Sequence, residues 1–110
     1  AIDFLMALTQ QAYDKYIEDL QPNGTVVVDS HVKIPDETKD WKVYSIPFLE
    51  IAERECGKPS MVNIVALGFF ARVNEVVDKK SIMQAILARI PKNSEDIYIK
   101  AYNAGLDAAT

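Results

Sequence analysis

Four polar residues stand where a small α/β protein could offer them to a ligand. Thr9 and Gln10 follow the apolar run "IDFLMAL" and open the amphipathic stretch "QQAYDKYIEDL". Ligands of open α/β sheets bind beyond the C-terminal ends of the strands, and a helix N-terminus favours anions such as phosphate. The alternative is that Thr9 is only an N-cap and Gln10 an exposed first-turn residue. Ser30 closes the run "TVVVDS" with Asp29. Both could line the same crevice, or both could simply turn the chain after a strand. Asn63 is a polar amide inside "MVNIVALGFF". Leaving a buried amide unpaired costs roughly 1–3 kcal/mol, so the sequence calls for a partner. That partner would be a loop carbonyl of this domain, a neighbouring subunit, or a group at a cofactor boundary.

Other residue types narrow the chemistry. His31 is the only histidine and Cys56 the only cysteine in 110 residues. Neither an "HExxH" nor a "CxxC" spacing occurs, so no resident metal site is expected. One thiol can form no internal disulfide and cannot supply the four thiolates of an iron–sulfur cluster. Cys56 reads as a small apolar residue near a helix end, and His31 as an exposed loop residue. No nucleophile–base pair falls at motif spacing and no Gly-rich phosphate loop is present, so catalysis by this chain alone finds no support.

The formal net charge of −4, with no stripe of Lys and Arg, argues against nucleic acid as a partner. "MVNIVALGFFARV" is too short, and too soon interrupted by Arg72, to span a bilayer. A single cysteine without a signal peptide fits the cytoplasm.

The elements that must position these residues read clearly in the first half. Ile2–Leu8 is a short apolar run, as expected of a strand covered on both faces. Tyr13, Tyr16, Ile17 and Leu20 share one helical face. "QPNG" is expected to stop that helix, and the β-branched "TVVVD", Thr25–Asp29, to form a second strand. Strand, helix and strand on short links make a βαβ unit with parallel strands and a right-handed crossover.

His31–Trp41 reads as loop, with the acids of "PDETKD" solvated, and Lys42–Ile46 as a third strand. Helices then follow. Pro47 suits a first helical turn, and Gly57 a C-cap. A strongly apolar helix is expected from about Ser60 to Val77, with Phe48, Phe69 and Phe70 in the core. Gly68 within it costs about 1 kcal/mol against Ala, which close approach of another backbone would explain. Asp78 is expected to cap "KKSIMQAILARI", and Ser94 the last helix, "EDIYIKAYNAGLDAA". Trp41 is a candidate core cap or interface anchor.

Taken in order, "IDFLMALTQQAYDKYIEDLQPNGTVVVDS", "KVYSIPFLEIAER", "MVNIVALG", "ARIPK" and "IKAYNAG" resemble the gamma subunit of 2-oxoacid:ferredoxin oxidoreductases, which include the pyruvate, 2-oxoglutarate and ketoisovalerate enzymes. The ordered set spans nearly the whole chain. Gln11 stands where an acid is common in the family, and Asn23 where a turn Gly is common. The family's Gly-rich "G-x-G-G-Q-G" segment lies upstream of this pattern.

The resemblance implies a Rossmann-like three-layer α/β domain with a mainly parallel sheet, followed by a helical C-terminal segment. It places residues 1–110 as the C-terminal part of one gamma-type domain, with an N-terminal βα portion outside the sequence. The first strand, exposed at the start of the sheet, is then a candidate for self-association.

By resemblance, the function is that of an accessory subunit in the CoA-dependent oxidative decarboxylation of a 2-oxoacid. The complex is expected to use thiamine diphosphate, Mg, iron–sulfur clusters and coenzyme A. None of these is expected to be bound by this chain alone. Partners are expected to be alpha and beta subunits, with a delta subunit as a further candidate, and ferredoxin through the complex; nucleic acid and membrane are not expected. Thr9, Gln10, Ser30 and Asn63 are the candidate cofactor-side residues. Two other readings remain open. A free-standing nucleotide or acyl-carrier module would need a Gly-rich phosphate loop, and a ligand-free interaction domain would be stable without partners.

Overall fold

The structure is a computed structural model that describes residues 2–35, 40–74 and 77–108. The expected solvated acids at 36–39 and the end of the expected apolar helix at 75–76 lie outside the described residues. The chain divides into two compact units, Ala1–Pro47 and Phe48–Thr110.

The first unit is a parallel sheet of three strands in the order β1-β2-β3, namely β1 (Ile2–Ala7), β2 (Leu20–Asp29) and β3 (Lys42–Ile46). Leu5 pairs with Val26 and Ala7 with Val28. Alternation along a strand puts these four side chains on one face. There they form a core with Tyr13, Leu20 and Val32, against which Ala12, Ile17, Ile34 and Trp41 pack. Val27, which points to the other face, is also fully buried. Burial of side chains on both faces is what the continuous apolar run of the middle strand calls for.

Helix α1 (Gln10–Tyr16) links β1 to β2 and runs on into a short 3-10 turn at Ile17–Asp19. Here the structure departs from the expected boundaries. "QPNG" does not separate helix from strand, because β2 already begins at Leu20. Ile2 pairs with Leu20 and Phe4 with Thr25, so two steps along β1 correspond to five along β2. The extra residues form an irregularity inside the strand. Asn23 sits there at φ 65°, a left-handed conformation that Asn tolerates better than most residues. This is how Asn23 can stand where the family commonly has Gly.

The second unit is helical. Helix α2 (Phe48–Cys56) ends on Gly57 at φ 69°, whose N–H donates to the Glu53 carbonyl at 3.0 Å. This is the left-handed C-terminal cap expected from the sequence. A 3-10 turn at Pro59–Met61 leads into α3 (Val62–Val73). That helix ends at Asn74, whose N–H donates to the Phe70 carbonyl, and not at Val77.

Asp78 caps α4 (Lys79–Leu87) by accepting from the Lys80 and Ser81 amides. Pro91 opens a 3-10 turn at Lys92–Ser94, so Ser94 belongs to that turn, and α5 (Glu95–Ala108) follows. Phe48 and Phe69 meet edge to face at 5.5 Å in the core, while Phe70 is only half-buried.

Helices α3 and α5 cross through two glycines. A Cβ on Gly68 would collide with the Tyr102 carbonyl and lie 3.1 Å from the Leu106 N. A Cβ on Gly105 would collide with the Val65 carbonyl and lie 2.9 Å from the Phe69 N. The close approach expected at Gly68 is therefore real, and its counterpart is the glycine of "KAYNAG".

Candidate functional site

The C-terminal ends of β1 and β2 bring together three of the four candidate residues. Thr9 follows β1 with extended backbone (φ −132°, ψ 155°), and its Oγ1 accepts from the Ala12 N–H at 3.1 Å. Its carbonyl accepts from the Tyr13 N–H. Thr9 thus performs its capping role.

Gln10 spends its side chain on the segment that leaves β2. Its Oε1 accepts from the Lys33 N–H at 2.7 Å, and its Nε2 donates to the Lys33 carbonyl at 3.1 Å and to Asp14 Oδ1 at 3.1 Å. One amide therefore satisfies both backbone groups of Lys33, as a strand neighbour would. Ser30 is exposed, and its N–H donates to the Ile46 carbonyl at 2.9 Å, tying the end of β2 to the end of β3.

Asn63 belongs to the second unit, in the first turn of α3, and is exposed. The buried amide expected from its apolar neighbours is not found. The reason is angular. Each helical residue turns about 100°, so Asn63 points away from Val65 two positions on, which is fully buried.

Sequence reasoning passed over a pair that the structure joins. Asp29 ends β2 and is the one buried charged residue among those described, at 3% exposure. Its Oδ1 lies 2.9 Å from His31 Nδ1 and accepts from the His31 N–H at 3.4 Å. The contact orients the ring. The imidazole itself is half-exposed, at 55%. The signal available was an acid at the end of a buried strand two residues before a histidine.

Beside these residues, α1 and the segment after β2 leave a cleft of about 370 Å³. Its walls are mainly Tyr13, Ile17 and Trp41, with Asp14 and Lys33 contributing charge. Trp41 is half-buried and its Nε1 donates to the Gln21 carbonyl at 3.1 Å, so the indole caps the core of its own unit. Burial raises the Tyr13 hydroxyl above its usual range, with the Asp14 charge adding to the effect. Tyr13 is therefore a neutral wall at physiological pH.

The arrangement offers hydrogen bonds and shape. Among the described residues no three of His, Cys, Asp or Glu come together as metal ligands. The lone Cys56 is raised by burial, opposed by the Lys100 charge and reinforced by Glu55. These residues do not fit an iron–sulfur cluster. No helix among the described residues is long and apolar enough to cross a membrane.

The chain is 39% identical over 109 residues to the 2-oxoglutarate synthase subunit KorC of Methanocaldococcus jannaschii, covering 97% of this chain and 58% of that protein. It is 29% identical to the subunit of the same name from Methanothermobacter marburgensis, covering 94% of this chain and 59% of that protein. The chain thus spans less than two-thirds of the length of the curated relatives it matches.

Its fold superposes on the gamma subunit of keto/oxoacid ferredoxin oxidoreductase from Geobacter sulfurreducens with a TM-score of 0.89 at 34% identity, over 97% of this chain and 63% of that one. It also superposes on part of the 2-oxoglutarate:ferredoxin oxidoreductase of Magnetococcus marinus, with a TM-score of 0.82 over 99% of this chain and 20% of that one. At 18% identity the second likeness shows the fold alone. The α/β sheet with a helical C-terminal segment is therefore the gamma-subunit fold. The family model for pyruvate ferredoxin/flavodoxin oxidoreductase matches residues 1–108, and the chain belongs to that family.

Proposed function

We propose that this chain is part of a gamma-type accessory subunit in a 2-oxoacid:ferredoxin oxidoreductase, an enzyme that oxidatively decarboxylates a 2-oxoacid with coenzyme A as acyl acceptor. The observation that carries the reading is the family match across residues 1–108. The identity to the 2-oxoglutarate synthase subunits supports 2-oxoglutarate as the 2-oxoacid. The partners are then the alpha and beta subunits, with a delta subunit where the complex has one, and ferredoxin receives the electrons. Thiamine diphosphate with Mg and the iron–sulfur clusters reside on those partners, and the complex works in the cytoplasm.

Within that complex, this chain shapes the coenzyme A side. Ser30 offers an exposed hydroxyl at the end of β2, on the sheet edge where α/β ligands collect. Thr9 and Gln10 act by holding the surrounding backbone: Thr9 fixes the start of α1, and Gln10 fixes the segment at Lys33. Asn63 offers an exposed amide on α3 as a contact to a partner subunit or to the cofactor. Position and exposure support these roles.

The test is native mass spectrometry of the full-length parent protein, captured by a tag from its own cells. Co-purification with subunits that carry thiamine diphosphate and iron–sulfur clusters is the expected result. Capture alone, or with proteins lacking both groups, would reduce the likeness to one of fold.

A further inference from the structure

The second unit carries an apolar groove that the proposed function does not use. It runs between α4 and α5, has a volume of about 270 Å³, and is bounded by Lys79, Lys80, Met83, Ile99, Tyr102, Asn103 and Leu106. On α5 the lining recurs at Ile99, Tyr102 and Leu106, and on α4 at Lys79 or Lys80 and Met83. This is helical spacing on both walls.

The floor is satisfied within the unit. The Tyr102 hydroxyl donates to the Lys79 carbonyl at 2.9 Å, and the residue is buried at 2% exposure, so its ring closes the bottom of the groove. Helix α4 is only nine residues long and buries none of them. Its Ile82, Met83, Ile86 and Leu87 are all half-buried. A helix so short depends on packing for its stability, and this one is incompletely covered.

Charge indicates what covers it. The chain as a whole is acidic, at −4, yet the lining holds two lysines and no acid. Asp78, next in sequence, is committed to the helix end: Oδ1 accepts from the Lys80 and Ser81 amides and Oδ2 from the Ser81 hydroxyl at 3.0 Å. Neither lysine ammonium makes an ion pair among the described residues. The groove is also smaller than the roughly 300–1,000 Å³ typical of small-molecule sites. A trough between two helices suits the ridge of a third.

We propose that the α4–α5 groove docks an amphipathic helix of another subunit, with an apolar ridge seated on Met83, Ile99 and Leu106 and acidic residues facing Lys79 and Lys80. This rests on the subunit reading above, but its test can fail separately. The experiment is carbodiimide cross-linking, which joins an ammonium directly to a carboxylate, on the complex purified through the full-length protein, followed by mass spectrometry.

The expected result is a link from Lys79 or Lys80 to an Asp or Glu of another subunit, within a segment apolar at helical spacing. The double variant Lys79→Glu/Lys80→Glu removes the link and weakens assembly at least tenfold at low salt, with the difference shrinking as salt rises. Met83→Ala, which shortens a half-buried side chain and adds no charge, weakens assembly without that salt dependence.

If the complex assembles and other lysines link to its subunits while Lys79 and Lys80 do not, the docking proposal falls and the subunit reading stands. Links from these two lysines only to this same chain, or to a second copy of it, overturn the proposal equally. A protein that purifies with no partner subunit overturns both.

Discussion

Gly68 and Gly105 face each other's helices at the crossing of α3 and α5, each pressed against backbone of the turn that contains or adjoins the other. A Cβ on either would strike a carbonyl oxygen, of Tyr102 in one case and of Val65 in the other. Backbone cannot step aside as a flexible side chain can. Gly68→Ala and Gly105→Ala should therefore each destabilise the chain by about 1–3 kcal/mol or more, the usual cost of overpacking. Thermal unfolding would show this as a loss of about 4–8 °C per kcal/mol. Gly57→Ala is the contrast. It meets nothing within 4 Å but keeps φ 69°, so only the left-handed penalty of about 1 kcal/mol applies.

Gln10→Leu keeps most of the side-chain volume and removes the three hydrogen bonds to Lys33 and Asp14. Amide exchange at Lys33 should accelerate markedly, because the Gln10 Oε1 is the acceptor for that N–H. The global cost should be near 1 kcal/mol, as partly exposed hydrogen bonds contribute little net stability. Unchanged protection at Lys33 would show that the amide clamp does not hold the segment in solution.

The cap of α4 should titrate. Hydrogen bonds from the Ser81 hydroxyl, then from the Ser81 and Lys80 amides, hold the Asp78 carboxyl below its usual range. Its folded-state pKa thus lies below the unfolded one. The stabilisation is complete above the ordinary carboxylate range and is lost as pH falls through the lower, folded value. Asp78→Asn keeps an acceptor for the amides and should flatten the acid dependence of amide protection in the first turn of α4. Identical acid profiles for the two proteins would remove Asp78 from the explanation.

Cys56 should react slowly. Its thiol is raised mainly by burial, and the thiolate is the reactive form. Alkylation by iodoacetamide at pH 7 should lag behind that of a free thiol and rise steeply only above the ordinary thiol range. Rapid modification at neutral pH would indicate a more open helix end than the structure describes.

The features legible from sequence were those carried by period and by cap chemistry. The buried run Val26–Val28, the Thr9 and Asp78 caps and the Gly57 stop each follow from local rules that nothing distant overrides. The start of β2 was hidden because "QPNG" carries every mark of a break; only pairing with β1 turns it into an irregularity within a strand. Gly68 advertised a close approach but could not name Gly105, which lies 37 positions away in the chain (105 − 68). Asn63 looked buried from its neighbours, although burial depends on helical phase. Asp29 and His31 each had a bland reading alone, and the pair becomes visible only when the turn after β2 brings the carboxylate to the ring.

The most direct measurement is 2-oxoglutarate- and coenzyme A-dependent reduction of ferredoxin by the purified complex, made with and without the full-length protein that contains this chain. Activity should be lost without the subunit and return when it is added back, with iron–sulfur and thiamine content of the remaining subunits unchanged. Full coenzyme A-dependent turnover by a complex that lacks it would contradict the assignment of this chain to the working enzyme.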